Sequence, residues 1–196
     1  MPPVTRPPIL GAVLAGGEAR RLGGLDKGLQ PFRGRALVAS VVDAIKPEVD
    51  EILIIANRHR MQYGAFGKVI ADEHPGYAGP MAGIAAALEY AAERWALCVP
   101  VDCPTLPPEL VPRLHQAMQA RASIACAVVH DGERVQPLFA LYRPGLAFAA
   151  SQALADNRAV HEWQRELGAL EVDFADLATA FANLNTPADF ANHERP

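Results

Sequence analysis

Apolar residues in this chain cluster in short runs, separated by segments with a different spacing. The runs are dense in Val, Ile and Leu and do not alternate strictly with polar residues, which is typical of strands covered on both faces of a sheet. We therefore predict strands at residues 9–14, 51–56, 68–71, 95–101, 123–129 and 137–142.

Between these runs, apolar side chains recur at the spacing of helices. Residues 36–46 carry a single apolar stripe and stop before a proline, which predicts one helix. The alanine-rich residues 81–93 predict a second helix, and residues 108–120 predict a third that a proline pair opens. Near the end, Thr186-Pro187 is typical of a helix start, with Thr as the N-cap.

Alternation of strands and helices predicts right-handed crossovers and a mostly parallel sheet with helices on both faces. The fold class is thus α/β, three-layer and Rossmann-like. Asp131-Gly132 lies between the last two runs as a hairpin signal and predicts one antiparallel strand. We expect one domain at residues 9–196 after a flexible arm at residues 1–8. Ligands of such sheets bind outside the carboxyl ends of the strands, which predicts that residues 15–27 and the turn after the strand at residues 95–101 share one edge of the sheet.

Composition limits the partners that this domain could have. The 196 residues are 51% apolar and 20% charged, as expected of a soluble globular domain, and no apolar stretch is long enough to span a membrane. The net charge of −4 argues against a nucleic-acid-binding surface. Cys98, Cys103 and Cys126 are an odd set, which favours reduced core thiols in a cytoplasmic protein.

The most informative segment, residues 14–27, follows the first predicted strand and reads LAGGEARRLGGLDK. Glycines let backbone N–H groups approach an anion, and Arg20, Arg21 and Lys27 supply positive charge for a nucleoside triphosphate. The segment is not a Walker A loop, because Lys27 is followed by Gly28, and its glycine spacing excludes a dinucleotide fingerprint. A glycine-rich surface loop with solvated cations is the alternative interpretation.

This segment resembles the signature of nucleotidyltransferases that charge a phosphorylated small molecule. LAGG followed by ARR, GG and DK is similar to the form found in the molybdenum cofactor guanylyltransferases. Related enzymes for sugar or isoprenoid phosphates generally carry Ala at the position of Gly16. The similarity extends over nearly the whole chain, through Asn57-Arg58-His59, Gly79-Pro80-Met81-Ala82-Gly83, Pro100-Val101-Asp102, Asp131-Gly132-Glu133-Arg134, Pro137 and Asn183-Leu184-Asn185-Thr186-Pro187.

The resemblance implies a nucleotidyltransferase fold and transfer of GMP from GTP to the phosphate of molybdopterin or Mo-molybdopterin, with release of pyrophosphate. It implies Arg21, Lys27 and Asp102 as catalytic residues and Mg²⁺, with Mn²⁺ as a possible substitute, on Asp102. The implied nucleotide-binding residues are Leu14, Ala15, Gly16, Gly17, Lys27, Asn57, Asp72, Gly79, Gly83 and Asp102. It implies Arg158, Asn183 and Asn185 for the pterin substrate.

Several of these residues also have plain structural interpretations. Asp102 follows a buried-looking strand, where a carboxylate could hold a hard cation against a phosphate or could cap the next turn. Asp72 could be a turn residue, and the segment from Gly79 to Gly83 an ordinary tight turn. The asparagines at 183 and 185 could cap backbone groups. Family members often carry Asn at the position of Ile55, so Asn57 is the possible substitute.

Four other functions remain open. A CTP-dependent enzyme for the same cofactor, or one for sugar or isoprenoid phosphates, would share the fold, but the Gly16-Gly17 pair and Gly23-Gly24-Leu25-Asp26-Lys27 argue against both. A glycosyltransferase would be expected to carry Asp-x-Asp at this position, whereas Asp102 is followed here by Cys103-Pro104. A non-catalytic GTP-binding module would bind without turnover. The resemblance also implies transient contacts with cofactor-biosynthesis proteins and apo-molybdoenzymes, and we expect neither nucleic acid nor membrane as a partner.

Overall fold

The structure is a computed structural model, and it describes residues 6–16, 26–72, 79–184 and 189. The strands are β1 (Ile9–Leu14), β2 (Pro31–Phe32), β3 (Arg35–Ala36), β4 (Glu51–Ile55), β5 (Lys68–Ile70), β6 (Trp95–Pro100), β7 (Cys126–His130), β8 (Val135–Tyr142) and β9 (Leu170–Asp173). The α-helices are α1 (Leu37–Ile45), α2 (Arg60–Tyr63), α3 (Pro80–Ala91), α4 (Leu110–Gln119), α5 (Ala147–Ala155) and α6 (Val160–Glu166). Short 3-10 helices lie at Lys27–Leu29, Lys46–Glu48 and Ala175–Phe181.

Seven strands form one sheet in the order β5-β4-β1-β6-β8-β7-β9. The pairs β5·β4, β4·β1, β1·β6 and β7·β9 are parallel. β8 is antiparallel to both of its neighbours, β6 and β7. The prediction of a mostly parallel sheet with one antiparallel strand is therefore confirmed. β2 and β3 form a separate two-stranded hairpin.

The core lies on both faces of this sheet, because successive residues of a strand point to opposite sides. Ile9 and Val13 of β1 pack in the cluster that contains the apolar faces of α1 and α4. Leu10 and Ala12 pack in the cluster that contains those of α3, α5 and α6. This arrangement is the predicted three-layer fold. Within the described ranges, none of the helices combines the length and the apolar character needed to cross a membrane.

All six predicted strands are present, although their ends differ by up to three residues. The helices predicted at residues 36–46 and 81–93 are also present. The third predicted helix starts at Leu110 rather than at residue 108, because Pro107 and Pro108 lie in a preceding turn in which Leu110 N–H donates to Pro107 O at 3.1 Å. The helix start predicted at Thr186-Pro187 lies outside the described residues.

The sequence did not predict the elements β9, α2, α5 and α6 or the hairpin β2–β3. β9 is an edge strand whose residues are alternately half-buried and exposed, and α2 is a single turn, so neither carries a long apolar run. The alanines of α5 and the short apolar pattern of α6 give a weak helical period. The hairpin β2–β3 turns at Arg33 and Gly34, both with positive φ (50° and 75°), as its two-residue turn requires.

The start of β1 is tied to the turn before β4. Asp50 accepts the Ile9 N–H at 2.7 Å and pairs with Arg6 at 2.7 Å. These contacts, led by the Ile9 N–H, hold the pKa of Asp50 below its usual value. The Trp95 N–H also donates to Pro8 O at 3.0 Å. The predicted flexible arm at residues 1–8 lies within the described chain only from Arg6 onward.

The carboxyl ends of the parallel strands meet at one edge of the sheet, which we call the rim. There the Ala15 N–H donates to Ile55 O and the Ala56 N–H donates to Ile70 O, both at 2.9 Å. The Val101 N–H donates to Leu14 O at 3.1 Å. The loops after β1, β4, β5 and β6 are thus joined backbone to backbone, and the candidate site residues on these loops share this edge.

Candidate active site

Lys27 and Asp102 form a charged pair at the rim. Lys27 opens the 3-10 helix after the glycine-rich segment, and Asp102 follows β6 by two residues. Lys27 Nζ lies 2.8 Å from Asp102 Oδ2, and the two side chains are only 19% and 21% exposed. The sequence predicted both residues on one rim, and the structure places them in direct contact. An ammonium group and a carboxylate at this depth can bind phosphate and a cation respectively.

The backbone of Asp102 is held from two sides. On one side, Val101 is hydrogen-bonded to the end of β1. On the other, the Leu184 N–H donates to Asp102 O at 2.9 Å, which brings the segment after the 3-10 helix Ala175–Phe181 against the turn. Leu184 is fully buried, and this packing fixes the segment in place. The position of Asp102 therefore depends on chain segments far apart in sequence.

The same contact brings Asn183 next to the Lys27–Asp102 pair. The Cys103 thiol donates to Asn183 Oδ1 at 2.7 Å and also lies 3.5 Å from Phe181 O. Burial, followed by the charge of Asp102, raises the pKa of Cys103 well above its usual value, so the thiol keeps its proton. With Oδ1 accepting this bond, the Asn183 amide nitrogen is left to donate. Asn183 is exposed, so a substrate can reach it.

Asn57 and Asp72 form a reciprocal pair at the ends of β4 and β5. Asn57 Nδ2 donates to Asp72 Oδ1 at 2.9 Å, and the Asp72 N–H donates to Asn57 Oδ1 at 3.1 Å. Asp72 is only 7% exposed. A Cβ at Gly16 would lie 3.5 Å from Asp72 Oδ2, so this carboxylate faces the backbone after β1. Ile55 is buried in β4, and Asn57 is the polar side chain of that strand end which reaches Asp72.

Gly79 and Gly83 shape the start of α3 beneath β1. Gly79 precedes the helix with φ 71°, a conformation that favours glycine. A Cβ at Gly83 would lie 3.1 Å from Leu14 Cδ2 and 3.6 Å from Ile55 Cγ2, so its absence lets α3 approach both strands closely. This close packing brings the amino end of α3, where backbone N–H groups lack helical acceptors, to the rim.

Arg158 lies in a cleft of about 420 Å³ beside the start of α3. Apolar side chains dominate its walls, and Arg158 is joined there by Asn157 and His161. The lining residues are Pro80, Met81, Pro137, Leu138, Asn157, Arg158, Ala159, Val160 and His161. Arg158 is 42% exposed and pairs with Glu166. The buried Gln164 fixes one wall by donating from Nε2 to Pro137 O at 2.8 Å.

Asp102 is the residue that the sequence predicts as a metal ligand. Within the described ranges, no group of three or more His, Cys, Asp or Glu side chains could enclose a metal. Magnesium does not require such a group, since one or two carboxylates with phosphate oxygens and waters suffice. Asp102 offers hard oxygen ligands, although Oδ2 is already paired with Lys27. The residues therefore fit an ion that enters together with a phosphate ligand.

Comparison with known proteins identifies the family. A model of the MobA-like NTP transferase domain matches residues 11–171. The chain is 45% identical over 177 residues to the molybdenum cofactor guanylyltransferase of Shewanella baltica (strain OS185), an alignment that covers 89% of this chain and 90% of that protein. This chain belongs to the molybdenum cofactor guanylyltransferase family. It is therefore a nucleotidyltransferase.

Other members and structures agree with this assignment. The molybdenum cofactor guanylyltransferase of Shewanella frigidimarina (strain NCIMB 400) is 42% identical over 184 residues, covering 92% of this chain and 93% of that protein. The crystal structure of molybdopterin-guanine dinucleotide biosynthesis protein A from Archaeoglobus fulgidus superposes with a TM-score of 0.76 at 23% identity. It covers 94% of this chain and 96% of that one. The match to this crystal structure confirms the predicted nucleotidyltransferase fold.

The structure brings most of the predicted site residues of this guanylyltransferase family member to the rim. Leu14, Ala15 and Gly16 lie at the end of β1, Asp102 follows β6, and Lys27 contacts Asp102. Asn57, Asp72 and Gly83 border them, and Gly79 precedes the helix that carries Gly83. Asn183 adjoins Asp102, whereas Arg158 lines the separate cleft. Gly17, Arg21 and Asn185 lie outside the described residues, so their predicted roles stay predictions.

Two residues of this region were missed by the sequence reasoning. Cys103 was interpreted as a small core residue, and its thiol also bonds Asn183. Tyr63 was not singled out, yet its buried hydroxyl donates to Asp26 beside Lys27. The only sequence signal was indirect, since a tyrosine needs a partner for its hydroxyl when it is buried. That partner is 37 positions away in the chain.

Proposed function

We propose that this chain transfers GMP from GTP to the terminal phosphate of molybdopterin, or of Mo-molybdopterin, and releases pyrophosphate. The observation that carries the proposal is the Lys27–Asp102 pair, which lies at the rim of a guanylyltransferase fold beside the loop after β1. The pair supplies both charges that a metal-assisted triphosphate reaction requires. Family membership supplies the substrates.

In this reaction an acceptor phosphate oxygen forms a bond to the α-phosphorus of GTP, and the bond from that phosphorus to the bridging oxygen breaks. The electron pair leaves with pyrophosphate. The attacking phosphate is already ionised, so no general base is needed, and positioning and charge neutralisation must provide the rate. Lys27 neutralises the triphosphate in this scheme. Gly16 and the amino end of α3 let phosphate or ribose approach the backbone.

Asp102 would hold the Mg²⁺ ion that the family implies, with Mn²⁺ as a substitute. The ion would supply positive charge to the phosphate oxygens as negative charge develops on the leaving pyrophosphate. Lys27, which lies 2.8 Å from Asp102 Oδ2, would supply further positive charge to the same phosphates. Cation and nucleotide binding should therefore depend on each other.

Asp72 supports the assignment of guanine as the base. A carboxylate accepts two parallel hydrogen bonds, and guanine offers two adjacent donors, N1–H and the exocyclic 2-amino group. Cytosine lacks this donor pair. Asp72 is buried beside Gly16 and held by Asn57, so it is preorganised at the rim. We assign it to the guanine edge.

The cleft around Arg158 is suited to the acceptor. Pterins are flat and largely apolar on their faces, and the cleft combines apolar walls with the donors of Arg158 and Asn157. The start of α3 borders this cleft, and the same helix packs under Leu14 through Gly83. The acceptor would thus approach the nucleotide from the side of α3, and Asn183 would meet it next to Asp102.

Nucleotide titration tests the proposal. GTP, ITP, CTP, ATP and UTP are titrated calorimetrically with Mg²⁺ against the wild type and the Asp72→Asn variant. We expect the wild type to bind GTP in preference to ITP, which lacks the 2-amino group, and Asp72→Asn to lose that preference, about tenfold or more. Formation of molybdopterin guanine dinucleotide and pyrophosphate is then measured. A preference for CTP would contradict guanylyl transfer, and binding without product would indicate a non-catalytic module.

The cellular setting follows from the same proposal. We place the enzyme in the cytoplasm, where it would hand the cofactor to apo-molybdoenzymes through transient contacts. The free, buried cysteines support a reducing compartment, and burial raises the pKa of Cys98 to about 12. Fractionation that recovers the protein outside the cytoplasm would contradict this location. Cross-linking in cells that captures no cofactor-biosynthesis protein or apo-molybdoenzyme would contradict the contacts.

A further inference from the structure

Tyr63 ends the one-turn helix α2 and is completely buried. Its ring lies in the cluster on the α1 and α4 face of the sheet. Its hydroxyl does not point into that cluster but donates to Asp26 Oδ1, in the turn just before Lys27. A tyrosine from the loop after β4 thus reaches the end of the glycine-rich segment.

Asp26 connects this hydroxyl to the backbone that carries Lys27. The same oxygen, Oδ1, accepts the Gly28 N–H at 3.2 Å and caps the 3-10 helix Lys27–Leu29. Lys27 therefore lies between Asp26, whose side chain caps the 3-10 helix, and Gly28, whose N–H group donates to that side chain. Its side chain extends from this turn to Asp102. The conformation of the turn sets where the Lys27 ammonium group can lie.

Gly28 leaves room for the tyrosine hydroxyl. A Cβ at Gly28 would overlap the Tyr63 hydroxyl oxygen and would lie 2.9 Å from Val101 Cγ2. No side chain fits here, so the turn, the phenol and Val101, the residue before Asp102, are packed directly together. The φ angle of Gly28 is not positive, so the position requires glycine because of this close packing and not because of an unusual backbone conformation.

Burial and the neighbouring Asp26 carboxylate keep the Tyr63 hydroxyl protonated, so it acts as a hydrogen-bond donor. Burial raises the pKa of the Tyr63 phenol well above its usual value, and the hydrogen bond to Asp26 raises it further. The phenol therefore donates at every pH at which the protein would be assayed. The Asp26 carboxylate thus accepts hydrogen bonds from both the tyrosine and the turn.

We propose that Tyr63 is a positioning residue that acts through Asp26 to hold Lys27 in place for nucleotidyl transfer. The effect on rate rests on the proposed function, whereas the effect on the position of Lys27 does not. Tyr63 itself contacts neither substrate nor cation in this proposal. Its hydroxyl fixes the carboxylate, the carboxylate fixes the turn, and the turn fixes the lysine.

The first test observes Lys27 without any substrate. The lysines of the chain are Lys27, Lys46 and Lys68, so protein labelled with ¹⁵N-lysine gives few side-chain ammonium signals for NMR. We expect Tyr63→Phe to shift or broaden the Lys27 signal and to leave those of Lys46 and Lys68 unchanged. Tyr142→Phe is the matched control, because Tyr142 is equally buried and bonds Gln164 on the opposite face of the sheet from Tyr63. An unmoved Lys27 signal would overturn the proposal.

The second test measures turnover. The loss of a hydrogen bond to a charged group should make Tyr63→Phe lower kcat about five- to twentyfold, with the Kd for GTP changed less than about threefold. Tyr90→Phe, which removes a hydroxyl that donates to Glu51 at the start of β4, should retain the wild-type kcat. In a Lys27→Met background, Tyr63→Phe should cause no further loss, because Lys27 carries its effect. A further loss of the same size in that background would overturn the proposal.

A second variant covers the case in which Tyr63→Phe is unstable. Asp26→Ala removes the acceptor for both Tyr63 and the Gly28 N–H, and it should shift the Lys27 signal at least as strongly. An Asp26→Ala signal identical to wild type would overturn the proposal. If the Lys27 signal shifts in both variants but the wild type shows no GMP transfer, the positioning role stands and the proposed function fails.

Discussion

The rim has two regions with opposite character. On the nucleotide side, polar side chains are half-buried and already paired, Lys27 with Asp102 and Asn57 with Asp72. The cleft around Arg158 is open and mostly apolar, and its arginine is 42% exposed. A triphosphate needs fixed charges because its reaction depends on electrostatic stabilisation, whereas a flat acceptor needs surface to lie on. Under the proposed function, we expect the rate to depend on the first region and acceptor affinity on the second.

Asp102→Asn should have the largest effect, because it removes the charge while keeping the shape of the side chain. We expect kcat for GMP transfer to fall by roughly 100- to 1,000-fold, as for the loss of one preorganised electrostatic contact. Steady-state kinetics over a range of Mg²⁺ concentrations measures this loss. Asp43→Asn is the control, because Asp43 forms a similar ion pair with Arg35 at an exposed position. A comparable loss in both variants would mean that the effect is not local to the rim.

Arg158→Ala should affect the other region alone. Removal of its donors should raise the KM for the molybdopterin acceptor about five- to twentyfold, with GTP affinity within about threefold of wild type. Arg165→Ala, an exposed arginine of α6 that does not line the cleft, is the matched control. Equal losses of acceptor and GTP binding would remove the distinction between the two regions.

Cys103 follows Asp102 and bonds Asn183, a predicted pterin residue, so its variants sharpen the comparison. Cys103→Ala removes the donor that orients the Asn183 amide and should raise the acceptor KM about two- to fivefold. Cys103→Ser keeps a donor at this position and should restore most of the affinity. Cys126→Ala removes a buried thiol of β7, away from the rim, and should leave KM unchanged. If the Ser variant behaves as the Ala variant does, orientation of Asn183 is not the cause.

Substitution of His115 should have the smallest effect, because His115 packs at the start of β6, away from the rim. It packs edge-on against Trp95, with ring centroids 5.2 Å apart, and burial lowers its pKa below 6.5, with Arg6 and Arg143 adding to the shift. The unfolded chain therefore takes up a proton first as pH falls, so stability decreases from about pH 7 downward. His115→Gln should reduce this loss by about 1–2 °C in Tm between pH 7 and 5. A Tm difference independent of pH would contradict the assignment.

Much of this arrangement could be predicted from the sequence, and what could not has a physical reason. Lys27 and Asp102 were placed on one rim because both follow strand-like runs, and parallel strands end at the same edge. Their direct contact, and the bonds of Tyr63 to Asp26 and of Cys103 to Asn183, join residues 75, 37 and 80 positions apart. Such contacts depend on side-chain packing across the sheet, which no local pattern encodes. The turn α2 is too short to show a period at all.

The hydrogen bond from Leu184 to Asp102 has a consequence for the making of the protein. All nine strands that the structure describes precede Leu184 in the chain, so most of the sheet can form while synthesis is still under way. The turn that carries Asp102, however, gains one of its two backbone anchors only when residue 184 has left the ribosome. A nascent chain should therefore acquire its fold before its complete active site.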